Sequence, residues 1–219
     1  MNDHKGAMPL RRPMPSLVLF AAAGPLTVEV EESCARLGRP IAALLLNRPG
    51  PNVVLDPTLL APAEPLPAQA EGADFICALF TPANRRLAVA EAVALGLHPA
   101  AALVDPTAIV AKSARLAEGC YINAGAIIGA LTVLGRFVTV NRGASVGHHA
   151  EIGEFASIGP GVVIAGMTRI GAGTLVGAGA VLAPNVTLGE GCVVAPGAVI
   201  TRDIPDGARA MGNPMRLFR

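Results

Sequence analysis

The chain has 219 residues, 52% of them apolar, with no Trp, one Tyr and six Phe, and 17 basic against 16 acidic side chains leave a formal charge of +1. That length holds one or two domains. The near-zero charge, with no basic tract beyond Arg11 and Arg12, argues against a nucleic-acid or anionic-membrane partner, and no apolar stretch is long enough to span a bilayer.

Residues 1–13 read as a flexible leader. Arg11 and Arg12 before the apolar run Leu17–Ala23 have the outline of a secretory signal, but the run is short and reads equally well as a first strand. The four cysteines, Cys34, Cys77, Cys120 and Cys192, form no CxxC pair. Cys120 and Cys192 fall four turns apart in the repeat described below, about 19 Å at the spacing of stacked strands, too far to bond each other. Buried free thiols and a cytoplasmic location are the expectation.

Residues 14–100 are expected to form a small parallel α/β domain, Rossmann-like in its alternation. Residues 16–23 make a buried strand broken by Gly24-Pro25, and Thr27–Leu37 a helix with Glu29, Glu31 and Glu32 near its start and Gly38 as its stop. Ile41–Leu46 is a second buried strand, and residues 47–50 a turn. Residues 53–72, rich in Pro and Ala, carry little signal. Asp74–Phe80 is another strand; Thr81 is expected to cap the next helix, with Pro82 at its first position and Gly96 at its end. The first strand-to-helix loop, Ala21-Ala22-Ala23-Gly24-Pro25, is where such a domain would bind a nucleotide. It has one glycine where a phosphate cradle wants several, and Pro25 lacks an amide donor. On the residues alone the loop either binds a nucleotide through Gly24 or is purely structural.

Residues 101–202 carry the strongest signal in the chain. Every sixth residue from Val104 to Ile200 is aliphatic, the residue two before it is Ala, Thr, Val or Cys, and the residue after it is usually Gly or another small one. Three six-residue sides make a triangular turn of about eighteen residues, with each aliphatic side chain pointing to the axis and each turn stacked on the last as parallel strands. One turn alone has no core, so stability comes from stacking. The Gly after each aliphatic is expected to let the backbone turn a corner. Residues 203–219, with Pro205-Asp206-Gly207 and Gly212-Asn213-Pro214, are expected to leave the coil by turns.

The titratable residues to examine in such a coil lie at its corners. Of the histidines, His4 is in the leader and His98 in the linker, whereas His148 and His149 share a corner. One turn earlier stand Ala130 and Leu131, one turn later Gly166 and Met167, so His148 has small neighbours on both sides. The pair is either a proton-transfer site, with Glu151 and Glu154 as possible orienting partners, or two solvated turn residues. Two adjacent corner residues and no third coil histidine make a poor zinc site, so no metal is expected. GxxxxGK does not occur, and the one GxSxG string, Gly143-Ala-Ser-Val-Gly147, lies inside the hexad repeat and not on a strand-to-helix turn, which argues against the common hydrolases and kinases.

The segment Asn141 to Gly161 (NRGASVGHHAEIGEFASIGPG), with Thr81-Pro-Ala-Asn-Arg-Arg86, Val104-Asp-Pro-Thr-Ala108 and Gly212-Asn-Pro214, resembles the sialic-acid O-acetyltransferase and sugar-nucleotide N-acetyltransferase group of hexapeptide acyltransferases. The resemblance implies that the coil is a left-handed parallel β-helix, that the protein is a homotrimer, and that acetyl-CoA is co-substrate in a groove between neighbouring coils. It implies His148 as general base, Asn141 as a substrate contact, and Ser157, Gly159 and Gly166 along the cofactor stretch. The acceptor it implies is the amino group of a nucleotide-linked sugar in surface-glycan synthesis. O-acetylation of a sugar or sialic acid is the same-class alternative, and a non-catalytic trimeric scaffold the alternative from another class. The chain departs from the group's pattern where His149 replaces the usual Asp or Glu after the base, where Ser157 replaces a second histidine found in some members, and where the front loop is Ala-rich.

Overall fold

The computed structural model describes residues 16–51 and 53–218; the leader expected over residues 1–13 lies outside the described residues. The front layer is a five-stranded, all-parallel sheet in the order β3-β2-β1-β4-β5. Its members are β1 (Leu17–Phe20), α1 (Thr27–Leu37), β2 (Ile41–Leu46), β3 (Leu60–Pro62), β4 (Asp74–Cys77), α2 (Pro82–Ala94) and β5 (His98–Pro99). β1 is fully buried because a helix covers each face of the sheet: Leu17 and Leu19 meet Val30 and Cys34 of α1, while Val18 and Phe20 meet Ala88, Val89 and Ala92 of α2. α1 runs as its periodicity predicts and stops at Gly38, whose φ of 64° suits a residue without a β-carbon. Thr81 occupies the cap position of α2 but makes no side-chain capping hydrogen bond. β3 is an edge strand that the Pro-rich segment hid, since Pro62 is tolerable only where no ladder amide is needed. His98 belongs to the edge strand β5 rather than to a linker.

From Leu103 the chain winds as seventeen two-residue strands, β6 (Leu103–Val104) to β22 (Val199–Ile200), on three parallel faces. Partners lie one full turn apart, as in Ile127 with Ser145 and Ser145 with Val163. The inward aliphatics and the small residues two before them form one continuous core from Cys120 to Ala210, which is why a chain with so little aromatic mass folds as a coil. Among the described residues no helix is long and apolar enough to cross a membrane.

Two features differ from expectation. The glycines that follow the aliphatics are not the corner residues: a β-carbon on Gly129 would lie 2.7 Å from Gly147 C, and one on Gly159 would lie 2.8 Å from Ala178 N, so these positions serve the close stacking of successive turns. From Leu116 to Val194 the corners fall three residues after each aliphatic, where φ is positive at Leu131, Phe137, His149, Phe155, Met167 and Asn185 and at glycines such as Gly119, Gly143 and Gly161. The tail, in turn, does not simply depart. β23 (Arg209–Met211) adds to the coil beside Val193–Val194, and β24 (Arg216–Phe218) returns antiparallel against it.

One face of the coil docks on the front layer. Corner residues Phe137 and Phe155 stack at 5.0 Å and enter the α2-side core beside Phe75, and Tyr121 enters the α1-side core. Two polar struts accompany them. Arg85 of α2, 1% exposed, donates to the carbonyls of Phe137 (2.9 Å), Leu79 (2.7 Å), Phe80 (2.8 Å), Phe155 (2.7 Å) and Ala156 (3.0 Å) and to Ser157 Oγ (2.9 Å). Burial pulls its guanidinium down to about 10, so it remains a cation at neutral pH. The buried carboxylate of Asp105 accepts from Ser33 Oγ (2.6 Å) and Arg36 Nε (2.9 Å) of α1 and from Thr107 N (2.9 Å) and Oγ1 (2.6 Å).

Candidate active site

His148 and His149 stand on an exposed corner between the strands Ser145–Val146 and Glu151–Ile152. The backbone puts them there through the stacked turns: His149 N donates to Ala130 O at 2.9 Å, and Met167 N donates to His148 O at 2.9 Å. The His148 ring does not merely face a small neighbour but lies upon it. A β-carbon on Gly166 would sit 2.7 Å from both Cε1 and Nε2 of His148. Nδ1 of His148 is 3.0 Å from Nδ1 of His149, with the rings at 90°. Nε2 of His148 lies against Gly166 and makes no hydrogen bond among the described residues, in a side chain that is exposed as a whole. A neutral imidazole in this setting offers a lone pair for proton abstraction.

The other expected site residues are placed as follows. Glu151 and Glu154 are engaged elsewhere, with Arg169 at 3.7 Å and Arg86 at 3.3 Å. Asn141 is 7% exposed, and its Oδ1 accepts from Asn123 Nδ2 (2.9 Å) and Arg142 N (2.8 Å), so it forms a ladder with the turn before. Ser157 is fully buried between the Arg85 guanidinium and the Phe80 carbonyl, to which it donates. That position joins the coil to the front layer. Gly159 is likewise buried, in the stack. Gly166 supports the histidine ring. Beneath His149 the corner forms an open recess of about 430 Å³ lined by Glu151, Met167, Arg169, Asn185 and Thr187.

Gly24 borders a second cavity, of about 370 Å³, outside the carboxyl ends of β1, β2 and β4. Strand order reverses between β1 and β4, the place where open α/β sheets bind ligands. Ala21 takes a left-handed backbone (φ 60°) there, so the loop makes a glycine-type turn without glycine. Gly50 approaches so closely that its β-carbon would lie 2.6 Å from Ala23 Cβ, bringing the loops after β1 and β2 together. The wall opposite is α2, through Asn84, Leu87 and Glu91. Glu91 accepts from Asn47 Nδ2 (2.6 Å) and pairs with Arg48, and these bonds, Asn47 first, hold its carboxyl below the usual range against the opposing effect of burial. Asn47 and Arg48 fall in the expected turn, and the sequence signal for them is their place at the end of a buried strand, across from the Gly24 loop.

The four thiols are poorly placed to act as nucleophiles. All four cysteines are buried and free, and burial pushes Cys34 and Cys120 up to about 11 and Cys77 up to about 12, with Cys192 also raised. Among the described residues no group of three or more His, Cys, Asp or Glu side chains is placed to hold a metal ion.

Comparison with known proteins places this geometry. The bacterial transferase hexapeptide family (six repeats) matches residues 131–166 and 167–202. PerB from Caulobacter crescentus, solved with CoA and GDP-perosamine, is 29% identical and superposes with a TM-score of 0.85, covering 93% of this chain and 97% of that one. The acetyltransferase domain of PglB from Neisseria gonorrhoeae, solved with acetyl coenzyme A, is 30% identical with a TM-score of 0.78, covering 94% of this chain and all (100%) of that one. WeeI from Acinetobacter baumannii, at 17% identity and a TM-score of 0.67, shares the fold. No curated protein sequence matches the chain. Superposition over nearly the whole length, front sheet and coil together, fixes the coil as left-handed, against the usual right-handed preference of parallel crossovers. The chain belongs to the hexapeptide-repeat sugar acetyltransferases of the left-handed β-helix type.

Proposed function

We propose that this protein transfers the acetyl group of acetyl-CoA to the amino group of a nucleotide-linked sugar, with His148 as general base. The observation that carries this reading is the seating of His148: its ring rests on Gly166 at an exposed corner, Nδ1 turned to His149 and Nε2 without a hydrogen-bond partner among the described residues. The cavity at the carboxyl ends of the front strands supports a nucleotide-linked acceptor. So does the relative from Caulobacter crescentus, a perosamine N-acetyltransferase whose structures hold CoA with GDP-perosamine and include variants at one histidine.

In the reaction the sugar amine attacks the thioester carbonyl as Nε2 of His148 takes a proton from the nitrogen. Collapse of the tetrahedral intermediate forms the amide and releases CoA thiolate, which recovers that proton from the imidazolium. No covalent enzyme intermediate is needed. A homotrimer is part of the proposal: the outward residues Ile109, Ile127, Val163 and Val181 form an exposed apolar stripe along one coil face. Acetyl-CoA then lies between neighbouring coils near the recess beneath His149. The four buried free thiols agree with a reducing cytoplasm.

His148→Ala tests the base directly. With acetyl-CoA and GDP- or UDP-linked amino sugars, its kcat should fall about a hundredfold or more; unchanged turnover would sink the assignment. Calorimetric titration with GDP and UDP tests the acceptor class. Binding of either supports a nucleotide-linked sugar, and binding of neither moves the acceptor to a free sugar or sialic acid.

A further inference from the structure

The geometry points to His149 as a positioning residue that fixes the tautomer of His148, a neutral imidazole doing what a carboxylate would otherwise do. The inference rests on the reading of His148 as base. A 3.0 Å contact between two Nδ1 atoms is a hydrogen bond only if one nitrogen carries the proton and the other the lone pair. Two arrangements exist. If His149 donates, His148 is the Nε2–H tautomer, and its Nε2 has no lone pair. If His148 donates, its Nε2 is the free base and His149 is the Nε2–H tautomer. Only the second lets Nε2 of His148 accept a proton.

The second arrangement is the one that a base at His148 requires. His149 is held with φ of 56° by its amide bond to Ala130 O, which stations its ring beside that of His148. It lines the same recess as the carboxylate of Glu151, and the charged groups there are Glu151 and Arg169, paired at 3.7 Å. With Nδ1 of His149 accepting from His148, the proton of its neutral ring sits on Nε2. Around His148 the stacked neighbours are Ala130 and Gly166, neither titratable, so its one charged-state partner is His149.

When Nε2 of His148 takes the substrate proton, Nδ1–H still donates to the His149 lone pair, so the positive charge is shared across a charge-assisted bond. A second proton on the pair would set two N–H groups face to face and break the contact. The pair therefore cycles between neutral and singly charged forms. A carboxylate in the same place would hold the imidazolium more strongly.

The test uses the full-length protein, selectively ¹⁵N-labelled at histidine, and three variants suited to different parts of the claim. In the parent, imidazole ¹⁵N shifts should report His148 with its proton on Nδ1 and His149 with its proton on Nε2; the reverse assignment overturns the proposal without any substrate. His149→Asn keeps an acceptor oxygen near the Nδ1 position and tolerates the left-handed backbone, so it should retain kcat within about threefold of the parent. His149→Ala should lose about tenfold or more in kcat with KM for acetyl-CoA little changed. His149→Asp should retain activity and move the acid limb of the kcat profile up by about one pH unit. An Ala variant as active as the parent, an Asn variant no better than Ala, or an Asp variant with an unmoved acid limb each overturns the inference. If His148→Ala is inactive while the His149 variants are neutral, only this inference fails; if His148→Ala stays active, the base assignment itself fails.

Discussion

The imidazole of His148 rests on the α-carbon of Gly166, one turn further along the coil, leaving no room for a β-carbon between them. Gly166→Ala should therefore expel the ring without disturbing the coil, since Ala130 already fills the equivalent place two turns earlier. The expected result is a kcat within a few-fold of His148→Ala and a Tm within about 3 °C of the parent. Steady-state kinetics beside calorimetry check both halves.

Arg85 is a buried cation whose acceptors are all uncharged, five carbonyls and one hydroxyl. Replacing it with Met leaves those carbonyls without a donor and should cost about 3 kcal/mol or more. Arg85→Lys reaches fewer of them and should fall between. Denaturant midpoints of the three proteins give the order.

Asp105 carries a pH signature. Burial pushes its carboxyl up, but hydrogen bonds from Ser33, from Thr107 twice and from Arg36 outweigh that and bring it down to about 2 from an ordinary 3.8. A depressed carboxylate stabilises the fold above its unfolded value and loses that contribution as pH falls through the folded one. The parent should thus exceed Asp105→Asn by on the order of 2 kcal/mol at neutral pH. The gap should narrow as pH falls from about 4 to about 2, as read from denaturant midpoints across that range.

Two corner glycines separate strain from crowding. At Gly143 (φ 65°) a β-carbon meets nothing within 4 Å, so Ala there carries only the left-handed penalty, about 1 kcal/mol. At Gly119 (φ 71°) it would lie 2.2 Å from Phe137 Cδ1. Gly119→Ala should cost about 2 kcal/mol more than Gly143→Ala, measured as the difference in unfolding free energy.

The extent to which sequence foretells this molecule follows the range of the interactions involved. α1 and β2 occupy their expected residues because periodicity and the Gly38 stop are local signals, and the coil register follows because each hexad repeats the same inward pair. β3 was hidden because proline is an anti-strand signal everywhere except at an edge. Arg85 left no trace, for its partners are backbone carbonyls that any sequence supplies. The corner was legible as a place, through the small residues at 130 and 166, but the contact between the two imidazoles was not. It depends on the left-handed backbone at His149, and the repeat gave no warning that a histidine would take it.

The two struts also bear on how acceptor specificity changes in such a protein. α2 contributes one wall of the front cavity and, through Arg85, grips two consecutive turns of the coil, while α1 is pinned to the coil's first turn through Asp105. Transplanting a front layer from a relative is thus a two-lock graft. A donor layer must bring its own Arg85 and Ser33–Arg36 equivalents into register with carbonyls and a carboxylate that stay behind. Loop exchanges confined to residues 21–24 and 47–50 leave both locks closed and, on the function proposed above, are the shorter route to a new acceptor.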